Sequence, residues 1–344
     1  MELVNVFDYE KLAQARMAPP FWDYYQGGSD DEVTIRACRT AFERIKLRPR
    51  VLVDVGPDAL DMRTSVLGTP ISMPLLIAPM ALHCMAHPEG ECATAQAAGK
   101  AGTVMIASTV ATRTIEEIAQ AAYGPLWFQL YTYPSLKVAE SLVRRAEAAG
   151  YRAIVLTVDL PVLGNREKDR RHNITIPPAP YQEANFAGVE KVGQKWVPLT
   201  WDSLAWLRSI TSLPIILKGI LTAEDAQLAV EHEVDGIVVT NHGGRQLDTA
   251  IPSIEALPEI VEAVAGRCEI YLDGGIRRGT DILKALALGA RAVLIGRPVL
   301  WGLAVNGAEG VYHVLELLRH ELELAMALSG RPTLASIDRS LVRM

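Results

Sequence analysis

The chain has 344 residues, 49% of them hydrophobic, which is enough to fill the core of one large α/β barrel or of two ordinary domains. A formal net charge of -6 argues against nucleic acid or anionic lipid as a partner, since either favours a basic face. The four cysteines, Cys38, Cys84, Cys92 and Cys268, form no C-x-x-C pair and have no histidines at metal spacing, so reduced, mostly buried thiols are expected, with no metal site.

Residues 1–70 read as a helical preface. Eight short, nearly continuous apolar runs follow: Leu75–Met80, Val104–Ser108, Leu126–Tyr131, Ala153–Asp159, Pro214–Gly219, Gly236–Asn241, Glu269–Gly275 and Ala292–Arg297. Such runs suit strands buried on both faces. Helical stretches lie between them. One opens at Thr222-Ala223-Glu224-Asp225, and another opens at Thr280-Asp281 and closes at Gly289.

Alternating β and α elements imply a parallel sheet, and eight units fit a closed (β/α)8 barrel of roughly 250 residues, here 71–344. An open doubly wound sheet would carry a glycine-rich fingerprint after its first strand, where this chain has Ala78-Pro79-Met80-Ala81. The expectation is therefore an α/β TIM barrel with an N-terminal helical extension, a single domain over 1–344. The stretch 176–198 holds Pro177, Pro178, Pro180 and Pro198 and reads as a lid-like loop over the barrel mouth.

No run of about eighteen apolar residues occurs, and residues 1–9 lack the basic-then-apolar pattern of a secretion signal. The terminus Ser340-Leu341-Val342-Arg343-Met344 is not a peroxisomal address. A cytoplasmic protein with no membrane partner is expected.

The strongest motif follows the sixth run: Thr240-Asn241-His242-Gly243-Gly244-Arg245-Gln246-Leu247-Asp248. In a barrel the C-terminal strand ends converge, so His242 and Arg245 point into one volume, a proton acceptor beside a carboxylate clamp. The fourth run adds Asp159, a carboxylate able to orient the histidine, and a second arginine, Arg166. Gln129 and Tyr131 end the third run, and Lys218 ends the fifth. Leu272-Asp273-Gly274-Gly275-Ile276-Arg277 and Ile295-Gly296-Arg297-Pro298 put glycine-rich loops and two arginines where barrels of this class hold a phosphate.

With these residues in view, the chain resembles the FMN-dependent 2-hydroxy acid oxidase family, which includes glycolate oxidases, lactate oxidases and mandelate dehydrogenases; the bacterial lactate oxidases are the nearest in pattern. The likeness runs from Asp23-Tyr24-Tyr25 through Ala86-His87-Pro88-Glu89-Gly90 to Ala325-Met326-Ala327-Leu328-Ser329-Gly330. The resemblance implies FMN as cofactor, a small (S)-2-hydroxy acid as substrate, dioxygen as acceptor with hydrogen peroxide as product, and a homotetramer.

It also implies roles. His242 is the base, Asp159 its hydrogen-bonded partner, and Tyr131 and Tyr24 contact the substrate hydroxyl and carboxylate. Arg166 and Arg245 grip that carboxylate. Pro79, Met80, Ala81, Ser108, Gln129, Thr157 and Thr240 belong to the flavin site, with Lys218 beside flavin N1. Asp273, Gly275, Arg277, Gly296 and Arg297 match the ribityl and phosphate site.

Glycolate-selective relatives carry Thr where this chain has Met80 and Trp where it has Val110. The apolar pair widens the substrate pocket and favours L-lactate over glycolate, by about 1 to 3 kcal/mol per methylene. The loop after the fourth run is also shorter than in relatives, which leaves aromatic 2-hydroxy acids open as substrates. Two other readings stand beside this one: a quinone-linked, mandelate-type dehydrogenase, and more remotely an FMN-barrel isomerase. Whether His242 takes its proton from the α-carbon or the hydroxyl is open, and both routes need the same base.

Overall fold

A computed structural model describes residues 2–56, 58–174, 181–189 and 197–344. Eight parallel strands, β1 (Leu75–Ile77), β2 (Met105–Ser108), β3 (Leu126–Leu130), β4 (Ile154–Thr157), β5 (Ile215–Ile220), β6 (Gly236–Val239), β7 (Glu269–Asp273) and β8 (Ala292–Ile295), close into a barrel. The closure pairs β8 with β1 in the register Val293↔Leu75 to Ile295↔Ile77. Seven of the eight expected runs contain their strand, and β5 continues one residue past its run to Ile220; most ladders stop where polar or proline residues turn toward the mouth. Pro79, for instance, has no N–H to extend the β1 ladder.

Alternation along each strand builds the interior. Leu76, Ile106, Trp127, Val155, Ile216, Val238, Tyr271 and Leu294 point inward and fill the barrel, Trp127 and Tyr271 meeting edge to face at 5.7 Å. The residues between them face the outer helices. One step further along each strand, the inward side chain is Ala78, Ser108, Gln129, Thr157, Lys218, Thr240, Asp273 or Gly296. That step of two residues converts an apolar plug into a ring of polar and small residues at the C-terminal end.

The N-terminal helices are α1 (Val6–Arg16), α2 (Pro19–Gln26) and α3 (Val33–Arg44). Helix does not continue to residue 70 as expected. Pro49 and the β-branched Val51, Val53 and Val55 disfavour it, and the segment instead forms the pairs Lys46–Leu47 with Val342–Arg343 and Thr64–Val66 with Thr69–Ile71.

The remaining helices are α4 (Gly90–Lys100), α5 (Ile115–Ala121), α6 (Leu136–Ala148), α7 (Glu167–Arg171), α8 (Ser203–Ile210), α9 (Ala223–Glu231), α10 (Ser253–Val264), α11 (Gly279–Ala287) and α12 (Arg297–Leu328). Thr222 caps α9 by accepting the Asp225 amide at 3.2 Å. The start of α11 falls at Gly279, ahead of the expected Thr280, because Asp281 reaches back to accept the amides of Arg277 and Arg278.

All four cysteines are free, but only Cys38 is buried. The expectation of mostly buried thiols fails because Cys84, Cys92 and Cys268 lie in a loop, a first helical turn and a pre-strand turn, not in packed faces. Much of the expected lid, residues 175–180 and 190–196, lies outside the described residues. Its middle docks on the barrel top, with Tyr181 edge-on to Phe21 at 5.2 Å and the Asn185 side chain accepting the Ile115 amide at 2.9 Å. No described helix is long and apolar enough to cross a membrane.

Candidate active site

A cavity of about 420 Å³ opens at the C-terminal ends of the strands, within the range of cofactor and ligand sites. Its polar wall is the ring of strand-end residues just described. Gln129 is fixed there: its amide nitrogen donates to Thr157 at 3.0 Å, and its oxygen accepts from the Ser108 hydroxyl at 3.1 Å. Lys218, 3% exposed, points its ammonium toward Asp273 at 3.7 Å.

His242 sits in the turn after β6 at φ +58, in the left-handed region, and the following Gly243 is also left-handed. That turn aims the imidazole inward, where Nδ1 meets Asp159 Oδ1 at 2.9 Å. Burial pushes the His242 pKa below its ordinary value, with Asp159 opposing the shift. Burial also works against the Asp159 charge, but His242 and Lys218 outweigh it and hold that carboxyl low. The pair is therefore a neutral imidazole braced by a carboxylate, a form ready to accept a proton.

Two guanidinium groups face the histidine. Arg166 donates through Nε to the Arg245 carbonyl at 3.0 Å and through Nη2 to Gln246 at 3.2 Å. Arg245 donates to the Gly27 carbonyl at 3.0 Å and lies 5.0 Å over the Tyr24 ring. Burial and the neighbouring Arg245 lower the Arg166 pKa to about 10. The nearest compensating carboxylate on Arg245, Asp169, is 3.6 Å away. Two cations held together in a recess with one loose counter-charge constitute an anion site. Tyr24, Tyr131, Met80 and Val110 complete this end, and burial raises the Tyr131 pKa.

Gly275, Gly296, Arg277 and Arg297 also line the cavity, beside the N-terminus of α12. Arg297 spends its donors on the carbonyls of Tyr25, Gly27 and Gly243. Burial and nearby cations lower the Arg297 pKa to about 9; burial lowers that of Arg277 to about 10. A dianionic phosphate there would relieve both.

Of the residues expected at the site, all but two line this cavity. Asp159 stands behind His242, as its bracing role requires. Thr240 is fully buried in the polar ring, its hydroxyl donating to Asp273 at 3.2 Å and accepting the His242 amide at 3.1 Å.

Sequence reasoning assigned no role to three residues that the structure places in the machinery. Gln246 donates to the carbonyls of Asp159 and Val162 and accepts from Gly164 and Arg166, tying the His242 turn to the β4 loop. Asp169, on α7, lies 3.6 Å from Arg245, and nothing local in the sequence pairs the two. Tyr25, whose hydroxyl donates to the Leu82 carbonyl at 2.6 Å, had only its place in the Tyr24-Tyr25 pair to mark it.

A closed barrel with a base, an anion clamp and a phosphate end defines a cofactor-dependent barrel enzyme. Comparison with known proteins fixes the family. Residues 13–344 match the model described as FMN-dependent dehydrogenase. An L-lactate oxidase of Nostoc sp. PCC 7120 is 52% identical over 361 positions, covering 99% of this chain and 98% of that protein. A glycolate oxidase of Spinacia oleracea is 49% identical, covering 99% and 95%. A solved structure of mandelate oxidase with benzoyl-formic acid superposes with a TM-score of 0.93 at 44% identity, covering 99% and 98%. The chain belongs to the FMN-dependent dehydrogenase family.

FMN is thus the cofactor, and the cavity suits it. The hydrogen-bonding wall of Ser108, Gln129 and Thr157 can take the edge of a flat heterocycle, Lys218 can face its electron-rich end, and Arg277 can take the phosphate, with the Arg297 charge fixed beside it by backbone carbonyls.

Proposed function

We propose that the protein oxidises a small (S)-2-hydroxy acid to the 2-oxo acid, taking L-lactate in preference to glycolate and passing the electrons to dioxygen to form hydrogen peroxide. The observation that carries this reading is the meeting of His242 with Arg166 and Arg245 in one recess. Bound FMN supplies the two-electron acceptor. Arg166 and Arg245 bind and orient the carboxylate, Tyr24 and Tyr131 bound the same space, and His242 accepts the proton while Asp159 stabilises the imidazolium that results.

The preference for lactate is supported by Met80 and Val110, which present apolar surface where a methyl substituent would rest. The relatives include lactate, glycolate and mandelate oxidases, so the side-chain preference rests on these two residues. The test is an anaerobic titration of the yellow protein with glycolate, L-lactate, D-lactate and L-mandelate, following the flavin band. Bleaching by L-lactate at the lowest concentration is the expected result, and bleaching by none would end the hydroxy acid reading. An oxygen electrode with a peroxide assay separates the oxidase from a quinone-linked dehydrogenase. A homotetramer belongs to the same proposal and is checked by light scattering.

A further inference from the structure

We infer that Glu91 is a positioning residue, a buckle that fastens together the two loops forming one wall of the flavin cavity. Glu91 is 0% exposed, in the first turn of α4. One carboxylate oxygen accepts the His83 amide at 3.0 Å and the Thr112 amide at 2.8 Å; the other accepts the Thr112 hydroxyl at 2.6 Å. The Thr112 oxygen in turn accepts the Cys84 amide at 3.1 Å. Residues 83–84 belong to the loop after β1 and residue 112 to the loop after β2, so one side chain grips both. The helix N-terminus favours its negative charge.

Those two loops carry cavity-lining residues just ahead of the gripped positions: Pro79, Met80, Ala81 and Leu82 on one, Val110 on the other. Leu82 is left-handed at φ +59, a conformation that an ordinary side chain keeps only when its surroundings fix it. Three bonds converge there. The Leu82 amide donates to the Val110 carbonyl at 3.0 Å, Tyr25 binds the Leu82 carbonyl, and Glu91 holds the next amide. The preceding Gly90 is left-handed too, and a Cβ on it would lie 2.5 Å from Cys84 Sγ, so the start of α4 packs closely against the β1 loop.

Removing the carboxylate strands the buried His83 amide and the part-buried Thr112 amide, and the former costs more than its bond alone. The inference rests on FMN occupying the cavity and on no particular substrate. The experiment is hydrogen exchange of the apoprotein with FMN affinity by fluorescence quenching, for Glu91→Ala, Glu91→Gln and Thr112→Val. In Glu91→Ala, exchange rises selectively in residues 80–85 and 109–114, FMN binds at least tenfold more weakly, and reduction of the reloaded flavin slows at least about tenfold. Glu91→Gln retains an oxygen for both amides and restores FMN affinity to within a few-fold. Thr112→Val gives the Ala pattern at smaller amplitude and carries the test should Glu91→Ala not fold.

Exchange raised evenly over the barrel with FMN affinity unchanged overturns the inference, as does no change in either loop. Exchange and FMN binding need no substrate. A protein that turned over no hydroxy acid would therefore defeat the proposed function while these readouts still judged Glu91.

Discussion

His242 Nδ1 lies 2.9 Å from Asp159 Oδ1, while the second Asp159 oxygen is buried without a hydrogen-bond partner among the described residues. The carboxylate is thus committed to one imidazole, fixing the tautomer with Nδ1 protonated and leaving Nε2 to accept. His242→Gln is expected to bind FMN normally and to lose flavin reduction by L-lactate by several orders of magnitude in stopped flow. Asp159→Asn keeps the shape and removes the charge that stabilises the imidazolium, so reduction falls by about 10²-fold or more. Near-wild-type reduction in either variant would remove the pair from the chemistry.

The pH profile follows from the same pair. Burial lowers the His242 pKa below the ordinary histidine value of about 6.5, so the base is neutral and competent at pH 7. Activity is lost only as pH falls through the depressed pKa, and the acid limb of kcat/KM on L-lactate lies below pH 6.5. Asp159 is a charge that raises this pKa, so in Asp159→Asn the residual activity has its acid limb shifted further down. An acid limb above 6.5, or one that moves up in the variant, contradicts this assignment. The linkage to stability has the same sign. Below pH 6.5 the unfolded chain binds the proton more readily than the buried imidazole, so the protein loses stability on acidification.

The proposed preference for L-lactate is tested at Val110, which lines the cavity. Val110→Trp fills the space beside the substrate side chain and adds an indole donor. The ratio of kcat/KM for L-lactate over glycolate should fall by roughly tenfold or more, the value of a methylene in such a pocket. An unchanged ratio would mean that the preference is set elsewhere on the wall.

The barrel was legible because double-sided burial leaves nearly continuous apolar runs: Leu76, Trp127 and Tyr271 fill the plug while their neighbours face the helices, and Ser108, Gln129 and Lys218 turn polar at the strand ends. The site was legible because those strand ends have to converge. Less legible was anything depending on partners distant in sequence. Gln246 and Glu91 act through backbone groups of other loops, and no local pattern encodes which amides will be near. The extension was misjudged past Arg44 because its extended segment is held by the far C-terminus, through Lys46–Leu47 pairing with Val342–Arg343.

Asp248 closes the motif that holds His242, and its carboxylate accepts the amides of Val33 and Thr34 at 3.1 and 2.8 Å. It therefore caps α3 from across the chain, where the local N-cap residue, Glu32, makes no side-chain cap. The same two segments also meet through the Ser29 amide and the Gly244 carbonyl at 2.9 Å. Replacing a capping Asp by Ala costs about 0.5 to 2 kcal/mol, so Asp248→Ala should lower the melting temperature by a few degrees. Because α3 follows the segment bearing Tyr24 and Gly27, whose backbone holds Arg245, the loss should also raise KM for L-lactate more than it lowers kcat. A variant that melts like wild type would show that the extension is held by its apolar contacts alone. One that melts earlier with unchanged KM would show that the cap stabilises the extension without positioning the arginine.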